Sequence, residues 1–213
     1  MIVIISLFVG QVIGQEFKGH IEYEIKVIKT DSTFTDDEFL KGFGDKSTFY
    51  YNDGSYFQQG VNSAVEFTYL DTGIKQLGLK YKSNDTLYLF DATKAGPMQL
   101  IKTEKKSMTK EILGYKCLGI DFHGRNIFDG YDLSISLYYS EDIKINGERF
   151  EGIKIEFYDE IYQTLNSIPL GIEATYPIFS VHYSAIKIVK NDAVLVSELI
   201  QNNSKGLIVK KIN

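Results

Sequence analysis

Several residue types are scarce in this sequence. Its 213 residues include one cysteine, three prolines and no tryptophan. A single cysteine excludes an internal disulfide, so stability must come from a hydrophobic core. So few prolines exclude a collagen-like or proline-rich chain. Hydrophobic residues make up 44% of the chain and charged residues 24%, which is the composition of a folded protein. At this length one domain is expected.

Clusters of basic residues are also missing. The formal net charge is −5 at pH 7, and the longest basic runs are the pairs Lys105-Lys106 and Lys210-Lys211. A nucleic-acid-binding protein needs a basic surface that neutralises phosphates, whereas isolated lysine pairs are typical of a solvated surface. We therefore expect no nucleic-acid partner.

Motifs for catalysis and metal binding are absent from the sequence. The chain has no G-x-S-x-G, H-E-x-x-H, C-x-x-C or EF-hand pattern. Its three histidines, His20, His123 and His182, are far apart along the chain. We predict no catalytic residue, no cofactor and no metal site, and hence a protein that is not an enzyme.

The lone cysteine, Cys117, has two interpretations. A catalytic thiol would need a base close by, but His123 lies six residues along the same predicted strand, about 20 Å away at the usual rise. The apolar pattern around Cys117 favours a buried structural thiol. A reactive thiol is the alternative, and fast alkylation near neutral pH would reveal it.

The first fourteen residues carry no charge, and ten of them are large apolar residues. Such a segment is too short to cross about 30 Å of hydrocarbon as a helix. Val12 and Gly14 are small enough to precede a signal-peptidase site before Gln15. The pattern predicts a signal peptide over residues 1–14 and a single mature domain over 15–213. The protein would then be exported to the periplasm or outside the cell, and it would not be an integral membrane protein. No Lys or Arg precedes the apolar run, so two alternatives stay open: a true start that lies upstream, or a buried first strand.

Alternation of apolar and polar residues dominates the rest of the chain. From His20 to Val27 every second residue is apolar, which predicts a strand with one buried face. Similar segments predict strands at residues 47–51, 55–59, 64–70, 74–80, 86–90, 98–102, 115–123, 133–139, 150–157, 181–189 and 194–201. Turn residues such as Asn52-Asp53-Gly54 separate them. About eleven strands joined by hairpin turns predict a large antiparallel sheet or an open barrel, not a parallel α/β fold.

Aromatic residues fall on both faces of two predicted strands. The chain has fifteen tyrosines and fourteen phenylalanines, and Phe49-Tyr50-Tyr51 is followed closely by Tyr56-Phe57. Successive side chains of a strand point to opposite faces, so both faces of these strands must be covered. We expect a second layer, a helix or a ligand to cover them.

Helical spacing of apolar residues is strong in one segment only. It runs from Tyr158 to Ile168, with acidic residues near its start, where they suit the helix dipole, and Pro169 as its end. Shorter helical turns are expected at residues 36–40 and 140–142. The predicted fold class is therefore mainly β, with one or two helices resting on a curved antiparallel sheet.

Four short motifs resemble those of a known protein family. They are Glu111-Ile112-Leu113-Gly114-Tyr115-Lys116-Cys117, Leu137-Tyr138-Tyr139-Ser140-Glu141-Asp142, Ile168-Pro169-Leu170 and Ala185-Ile186-Lys187-Ile188. Their order and spacing across residues 20–200 are similar to those of small exported bacterial proteins of unknown function related to the GLPGLI group. Tyr138 stands where that group usually has Trp, and no full G-L-P-G-L-I is present. The chain is therefore more similar to a neighbouring uncharacterised family than to the GLPGLI proteins proper.

The resemblance implies a fold and a function. Those families resemble the LolA-like half-barrel of lipoprotein carriers, in which a curved antiparallel sheet wraps around helix and an apolar concavity. Together with the export segment and the strand pattern, the resemblance implies an envelope protein that binds a lipid, a lipoprotein or another hydrophobic ligand. Candidate wall residues, which share one face within each strand, are Phe67, Tyr69, Leu87, Leu89, Leu133, Ile135 and Leu137.

Two alternatives stay open for this face. The same apolar residues can be ordinary core beneath a helix. The protein can also be a structural or interaction module, with a fully packed interior and no ligand, that presents strand edges or loops to an envelope protein partner. An exposed apolar patch of several hundred Å² away from any hollow would favour that module.

Overall fold

Thirteen strands and three α-helices form from the residues that the computed structural model describes, which are 15–30, 37–192 and 194–212. The strands are β1 (Gly19–Lys29), β2 (Lys46–Asn52), β3 (Ser55–Val61), β4 (Val65–Asp71), β5 (Gln76–Tyr81), β6 (Thr86–Asp91), β7 (Met98–Lys105), β8 (Lys110–Ile112), β9 (Tyr115–Asn126), β10 (Asp132–Lys144), β11 (Ser167–Thr175), β12 (Phe179–Lys190) and β13 (Ile208–Ile212). The helices are α1 (Asp37–Lys41), α2 (Tyr158–Leu165) and α3 (Val196–Ser204), and two 3-10 helices, Gly147–Phe150 and Ile155–Phe157, precede α2. The signal peptide predicted over residues 1–14 lies outside the described residues.

The strands form one open sheet. Their order is β13-β6-β5-β4-β3-β2-β1-β12-β11-β10-β9-β7, and β8 pairs with β9 beside this path. Every described pairing is antiparallel apart from that of β13 with β6, which is parallel. The two end strands, β13 and β7, do not pair with each other, so the sheet is not a closed barrel. The predicted mainly antiparallel, open sheet is confirmed.

The sheet curves strongly toward α2. Five strand steps separate β3 from β10, which would put them about 24 Å apart in a flat sheet. Yet Tyr56 on β3 and Leu137 on β10 line the same small cavity, together with residues of α2. The sheet therefore wraps around this helix, and we call the side that faces α2 the inner face. This arrangement confirms the predicted half-barrel around a helix.

Alternation along β1 builds the inner face. Ile21, Tyr23 and Ile25 are buried, whereas the intervening Glu22 is partly exposed and forms an ion pair with Lys187 at 2.7 Å. Apolar residues of β2, β9, β10 and β11 join the same side, where α2 and its preceding 3-10 helices cover them. The main hydrophobic core is therefore inside the curve of the sheet.

A second, smaller core lies on the opposite face. We call it the outer cluster, and its buried members are Phe57, Phe67, Tyr69, Leu87 and Val196. The last of these belongs to α3, so this helix covers strands β3, β4 and β6 from outside. The expectation that both faces of the aromatic strands are covered is met, because Phe49, Tyr51 and Tyr56 join the inner core.

Two predicted strands are wrong. Residues 150–157 contain the last residue of the first 3-10 helix and the whole of the second instead, because Glu156 and Phe157 adopt left-handed backbone angles, with φ of 50° and 47°, that no strand allows. Residues 194–201 begin α3 instead. There Val196, Leu199 and Ile200 recur at helical spacing and pack on the outer cluster.

Other predicted boundaries also differ. The predicted turn at residues 140–142 is part of β10, whereas that at residues 36–40 corresponds to α1. Helix α2 ends at Leu165, before Pro169, because Asn166 takes a left-handed conformation. Pro169 lies in β11 beside a shift in register, where a strand tolerates proline. Strands β8, β11 and β13 were not predicted.

Candidate functional site

A cavity of about 220 Å³ remains between α2 and the inner face of the sheet. We call it the inner cavity. Its aliphatic walls are formed mainly by Leu133, Ile135, Leu137, Ile161, Ile168 and Ile172. Its aromatic walls are formed by Tyr23, Phe49, Tyr56, Tyr158, Tyr162, Tyr176 and Tyr183. The chain therefore does not fill the hollow that its own curved sheet encloses.

Helix α2 supplies one wall of the inner cavity. Tyr158, Ile161 and Tyr162 have the i, i+3, i+4 spacing that places side chains on one helical face. The rings of Tyr158 and Tyr162 lie 5.8 Å apart at 64°, and Phe150 stacks behind Tyr162 at 4.1 Å. This stacking fixes the helical wall against the core, so the cavity has defined edges.

The tyrosine hydroxyls of the inner cavity are neutral. Burial raises the pKa of Tyr176 and Tyr183 to about 12. It also raises the pKa of Tyr56, whose hydroxyl donates a long hydrogen bond of 3.4 Å to that of Tyr158. The hydroxyl of Tyr23 donates to the carbonyl of Pro169 at 2.7 Å. These groups present rings and weak dipoles to the cavity, and no phenolate forms near neutral pH.

Glu156 is the one charged residue among the described residues that line the inner cavity. Its carboxylate forms no hydrogen bond or ion pair with any described residue. Loss of solvent on burial raises the pKa of Glu156 above its ordinary value of 4.5. A carboxylate without a partner on an apolar wall is energetically costly, and it gives the described wall of the cavity its one charged point.

The backbone that carries Glu156 is strained. Both Glu156 and the buried Phe157 adopt left-handed angles, which cost a non-glycine residue about 1–2 kcal/mol each. Hydrogen bonds hold the segment in place, because the amides of Lys154 and Ile155 both donate to the carbonyl of Ala92. Such strain persists where the surroundings over-determine it, and it often marks functional sites.

A second cavity adjoins the first. It has a volume of about 430 Å³ and lies between α1 and strands β1 to β4. We call it the entry cavity. Gln58 and Tyr183 line both cavities, and Phe39 and Phe43 add apolar surface near α1. The two spaces form neighbouring parts of one apolar hollow on the inner face.

The structure divides the predicted wall residues between the two faces of the sheet. Leu133, Ile135 and Leu137 line the inner cavity. The other four, which are Phe67, Tyr69, Leu87 and Leu89, pack in or against the outer cluster beneath α3. Alternation identified residues that share a face, but it could not show which face is concave.

Sequence reasoning did not identify Glu156 or the aromatic walls as site residues. The sequence pattern predicts a strand over residues 150–157, and this prediction hides the turn that carries the carboxylate. The helical spacing of Tyr158, Ile161 and Tyr162 predicts the helix, and it is the signal in the sequence for one wall of the cavity. The contribution of Tyr56 depends on curvature that a single sequence does not reveal.

Cys117 is fully buried in the main core, as predicted for a structural thiol. Burial raises the pKa of the Cys117 thiol, and the thiol donates a hydrogen bond to the carbonyl of Tyr115 at 3.5 Å. The histidines are engaged elsewhere: His20 contacts Asp192 at 2.6 Å, and His123 contacts Glu104 at 3.4 Å. Among the described residues, no histidine is hydrogen-bonded to the thiol.

Two further features are absent from the described residues. No group of three or more His, Cys, Asp or Glu side chains is placed to hold a metal ion. Nor does the described part of the chain contain a helix with the length and apolar character needed to span a bilayer.

Comparisons with known proteins find similarity among solved structures. No family model and no curated protein match the chain. Among solved structures, it is similar to a crystal structure from Vibrio parahaemolyticus that is provisionally described as an outer membrane lipoprotein-sorting protein domain. The alignment covers 88% of this chain and 92% of that chain, with a TM-score of 0.39 and 8% sequence identity. The relation to the GLPGLI group stays a prediction.

Proposed function

We propose that this protein is a non-enzymatic, exported envelope protein that binds a hydrophobic ligand, a lipid or the acyl chain of a lipoprotein, in the inner cavity. The observation that carries this proposal is the unfilled apolar space between α2 and the curved sheet. The adjoining entry cavity gives a longer chain room to continue toward α1.

The energetics favour a ligand with an extended chain. Each methylene moved from water to an apolar site contributes about 0.8 kcal/mol. Association costs at least about 4 kcal/mol in lost freedom of motion, so a chain of a few carbons gains little. We therefore expect affinity to rise about fourfold with each added methylene until the cavities are full.

A chain-length series tests the proposal directly. The purified protein is titrated with neutral alkyl glucosides of increasing chain length, below their micelle concentrations, with calorimetric detection. In parallel, organic extracts of the protein as isolated are examined for bound lipid by mass spectrometry. Saturable binding that tightens with chain length is expected, whereas the absence of both binding and extracted lipid would refute a carrier role.

Matched substitutions locate the binding site. Ile135→Trp adds bulk to the inner cavity, whereas Leu89→Trp adds the same bulk beside the outer cluster. We expect Ile135→Trp to weaken glucoside binding by about tenfold or more, and Leu89→Trp to leave it unchanged. The opposite pattern would move the ligand to the outer cluster. An interaction module with no ligand would bind the glucosides in neither variant nor in the parent protein.

Export is tested at the N-terminus. If residues 1–14 are a signal peptide, protein recovered from the periplasm or the medium of the expressing cells should begin at Gln15. Intact-mass measurement distinguishes that form from the full chain. Retention in the cytoplasm with residues 1–14 attached would contradict the export proposal and leave the ligand-binding proposal to its own test.

A further inference from the structure

We propose, on the basis of the proposed function, that the inner cavity selects an amphiphile with an ammonium head group, which would lie among its tyrosine rings and against Glu156. The inference concerns the polar end of the ligand, which the apolar walls alone do not define. The proposed ligand has a cationic head group on an alkyl chain.

The aromatic walls supply the first argument. The face of a tyrosine ring attracts a cation within about 6 Å of the ring centre, and several angled rings form a cage for quaternary ammonium groups. The ring of Tyr158 lies 6.3 Å from that of Tyr56 at 73° and 5.8 Å from that of Tyr162 at 64°. All three rings line the inner cavity, so an ammonium group placed there meets more than one of them.

Glu156 supplies the second argument. Its negative charge acts on the tyrosines nearby: burial is the main reason why the pKa values of Tyr56, Tyr158 and Tyr176 are raised, and the charge of Glu156 adds to the effect on each. The carboxylate is therefore close to the aromatic walls. No described residue forms an ion pair with this carboxylate, so a positively charged group of a ligand can pair with it.

The other charged residues near Glu156 do not offer its carboxylate an ion-pair partner. Lys154 is the nearest lysine in sequence, but its ammonium is paired with Asp159 and lies 3.7 Å from Glu160. Among the described residues that line the inner cavity there is no Lys, Arg or His. An anionic head would meet an unpaired carboxylate in a site of low polarity, which is unfavourable.

The position of the carboxylate is held by the fold. Glu156 and Phe157 keep left-handed angles, Phe157 is buried in the main core, and the preceding amides are hydrogen-bonded to Ala92. A strained turn that places a carboxylate on an apolar wall needs a compensating role. Binding a cation provides one, because the charge is then neutralised in the ligand-bound protein.

The experiment compares head groups on one chain. The full protein is titrated calorimetrically with octyltrimethylammonium, octyl sulfate and octyl glucoside below their micelle concentrations, at pH 8 and at 0.15 M salt, which screens the net charge of the protein. Tetramethylammonium serves as the head group without a chain. We expect octyltrimethylammonium to bind about tenfold more tightly than octyl sulfate and more tightly than tetramethylammonium.

Paired substitutions connect the preference with one residue. Glu156→Gln should remove the preference for the ammonium head over the sulfate head. Glu151→Gln, an exposed carboxylate on the same segment, should keep the preference. Lowering the pH through the pKa of Glu156 should reduce the preference as well, because the lining tyrosines stay neutral throughout and Glu156 is the one charged group that the described part of the chain presents to the cavity.

The possible outcomes separate this inference from the proposed function. Equal binding of all three octyl compounds, or an ammonium preference that survives Glu156→Gln, overturns the inference while the hydrophobic site stands. Binding of none of them overturns both. Tight binding of tetramethylammonium alone, without a gain from the chain, would show a site for a free small amine and would overturn the amphiphile as the ligand.

Discussion

Gly78 shows how one residue position on the outer face is fixed by its neighbour across the sheet. It pairs with Tyr69 on β4, and the tyrosine ring lies over the glycine. A Cβ atom at position 78 would come within 2.0 Å of the Tyr69 ring. The ring therefore occupies the volume that any other side chain would need, and this close contact helps to pack the outer cluster.

We predict that Gly78→Ala destabilises the protein by about 2 kcal/mol, the usual cost of overpacking. Urea unfolding measures the change. In a Tyr69→Ala background the ring is absent, so Gly78→Ala should cost less than about 0.5 kcal/mol. Gly96→Ala is the matched control, because its Cβ would meet nothing closer than 3.5 Å. An equal cost of Gly78→Ala in both backgrounds would contradict the role of the ring.

Glu156 gives the second residue-scale prediction, on the protein without ligand. Its pKa is raised in the folded state, so the folded protein binds this proton more tightly than the unfolded chain does. Stability is therefore lost as the pH rises through the raised pKa of Glu156. Since glutamine has no charge to bury, Glu156→Gln should raise the melting temperature at pH 7 by about 2 °C.

The difference between Glu156→Gln and the parent should disappear below pH 4.5, where the side chain is protonated in both the folded and the unfolded state. Other carboxylates titrate equally in the two proteins and cancel in the comparison. Thermal scans at pH 7 and pH 4 measure the effect, with Glu151→Gln as the control. A lower melting temperature for Glu156→Gln at pH 7 would mean that the carboxylate stabilises the fold.

At the scale of elements, helix α2 ends at a position that the sequence pattern did not identify. Asn166 follows the last helical residue with φ of 45°, and its side-chain oxygen accepts a hydrogen bond from the amide of Gly147 at 3.2 Å. Its side-chain amide donates to the carbonyl of Gln163 at 2.8 Å. The residue therefore both ends α2 and ties it to the neighbouring 3-10 helix.

Substitutions at Asn166 separate these two contributions. Asn166→Gly keeps the left-handed turn but loses the side-chain hydrogen bonds, and we expect a loss of about 1 kcal/mol. Asn166→Ala loses the bonds and also strains the turn, so it should cost about 2 kcal/mol. Urea unfolding should give both variants a lower free energy of unfolding than the parent, with that of Asn166→Ala the lowest. Alanine as stable as glycine would show that the backbone conformation carries no cost.

Local patterns predicted the strands well because a half-buried strand leaves a direct record in alternate residues. The segment from His20 to Val27 corresponds to β1, and the hairpin strands β2 and β3 also follow their predicted segments. The alternation over residues 194–201 predicts a strand, although Val196, Leu199 and Ile200 fit helical spacing equally well. A short apolar run fits both the two-residue period of a strand and the period of a helix. Packing against the outer cluster stabilises the helix here.

At the scale of the whole molecule, the candidate site depends on curvature, which no local pattern records. Three predicted wall residues on β10 line the inner cavity because the sheet brings that strand toward β3. The four on β4 and β6 lie on the outer face. The pattern of alternating apolar residues is the same whichever face of the sheet they occupy. Whether such residues line the inner cavity or join the outer cluster depends on which face α2 and α3 cover.

Cys117 provides the last prediction, because its thiol reports on the integrity of the whole fold. It lies on β9 with no exposed surface, and burial raises the pKa of the thiol, which lowers the thiolate fraction. We expect the native protein to resist a water-soluble disulfide reagent and one thiol per chain to react in urea. The labelling rate should rise with urea along the same transition as the loss of the β-sheet signal in circular dichroism.

A ligand in the inner cavity should slow this labelling, since binding to the folded state alone increases the free energy of unfolding. About 0.8 kcal/mol of protection corresponds to a fourfold slower reaction when labelling requires global unfolding. Octyl glucoside at a few times its dissociation constant should therefore slow labelling of the parent but not of Ile135→Trp. Fast labelling in the native protein, unaffected by ligand, would instead support a reactive thiol and revive the catalytic interpretation of Cys117.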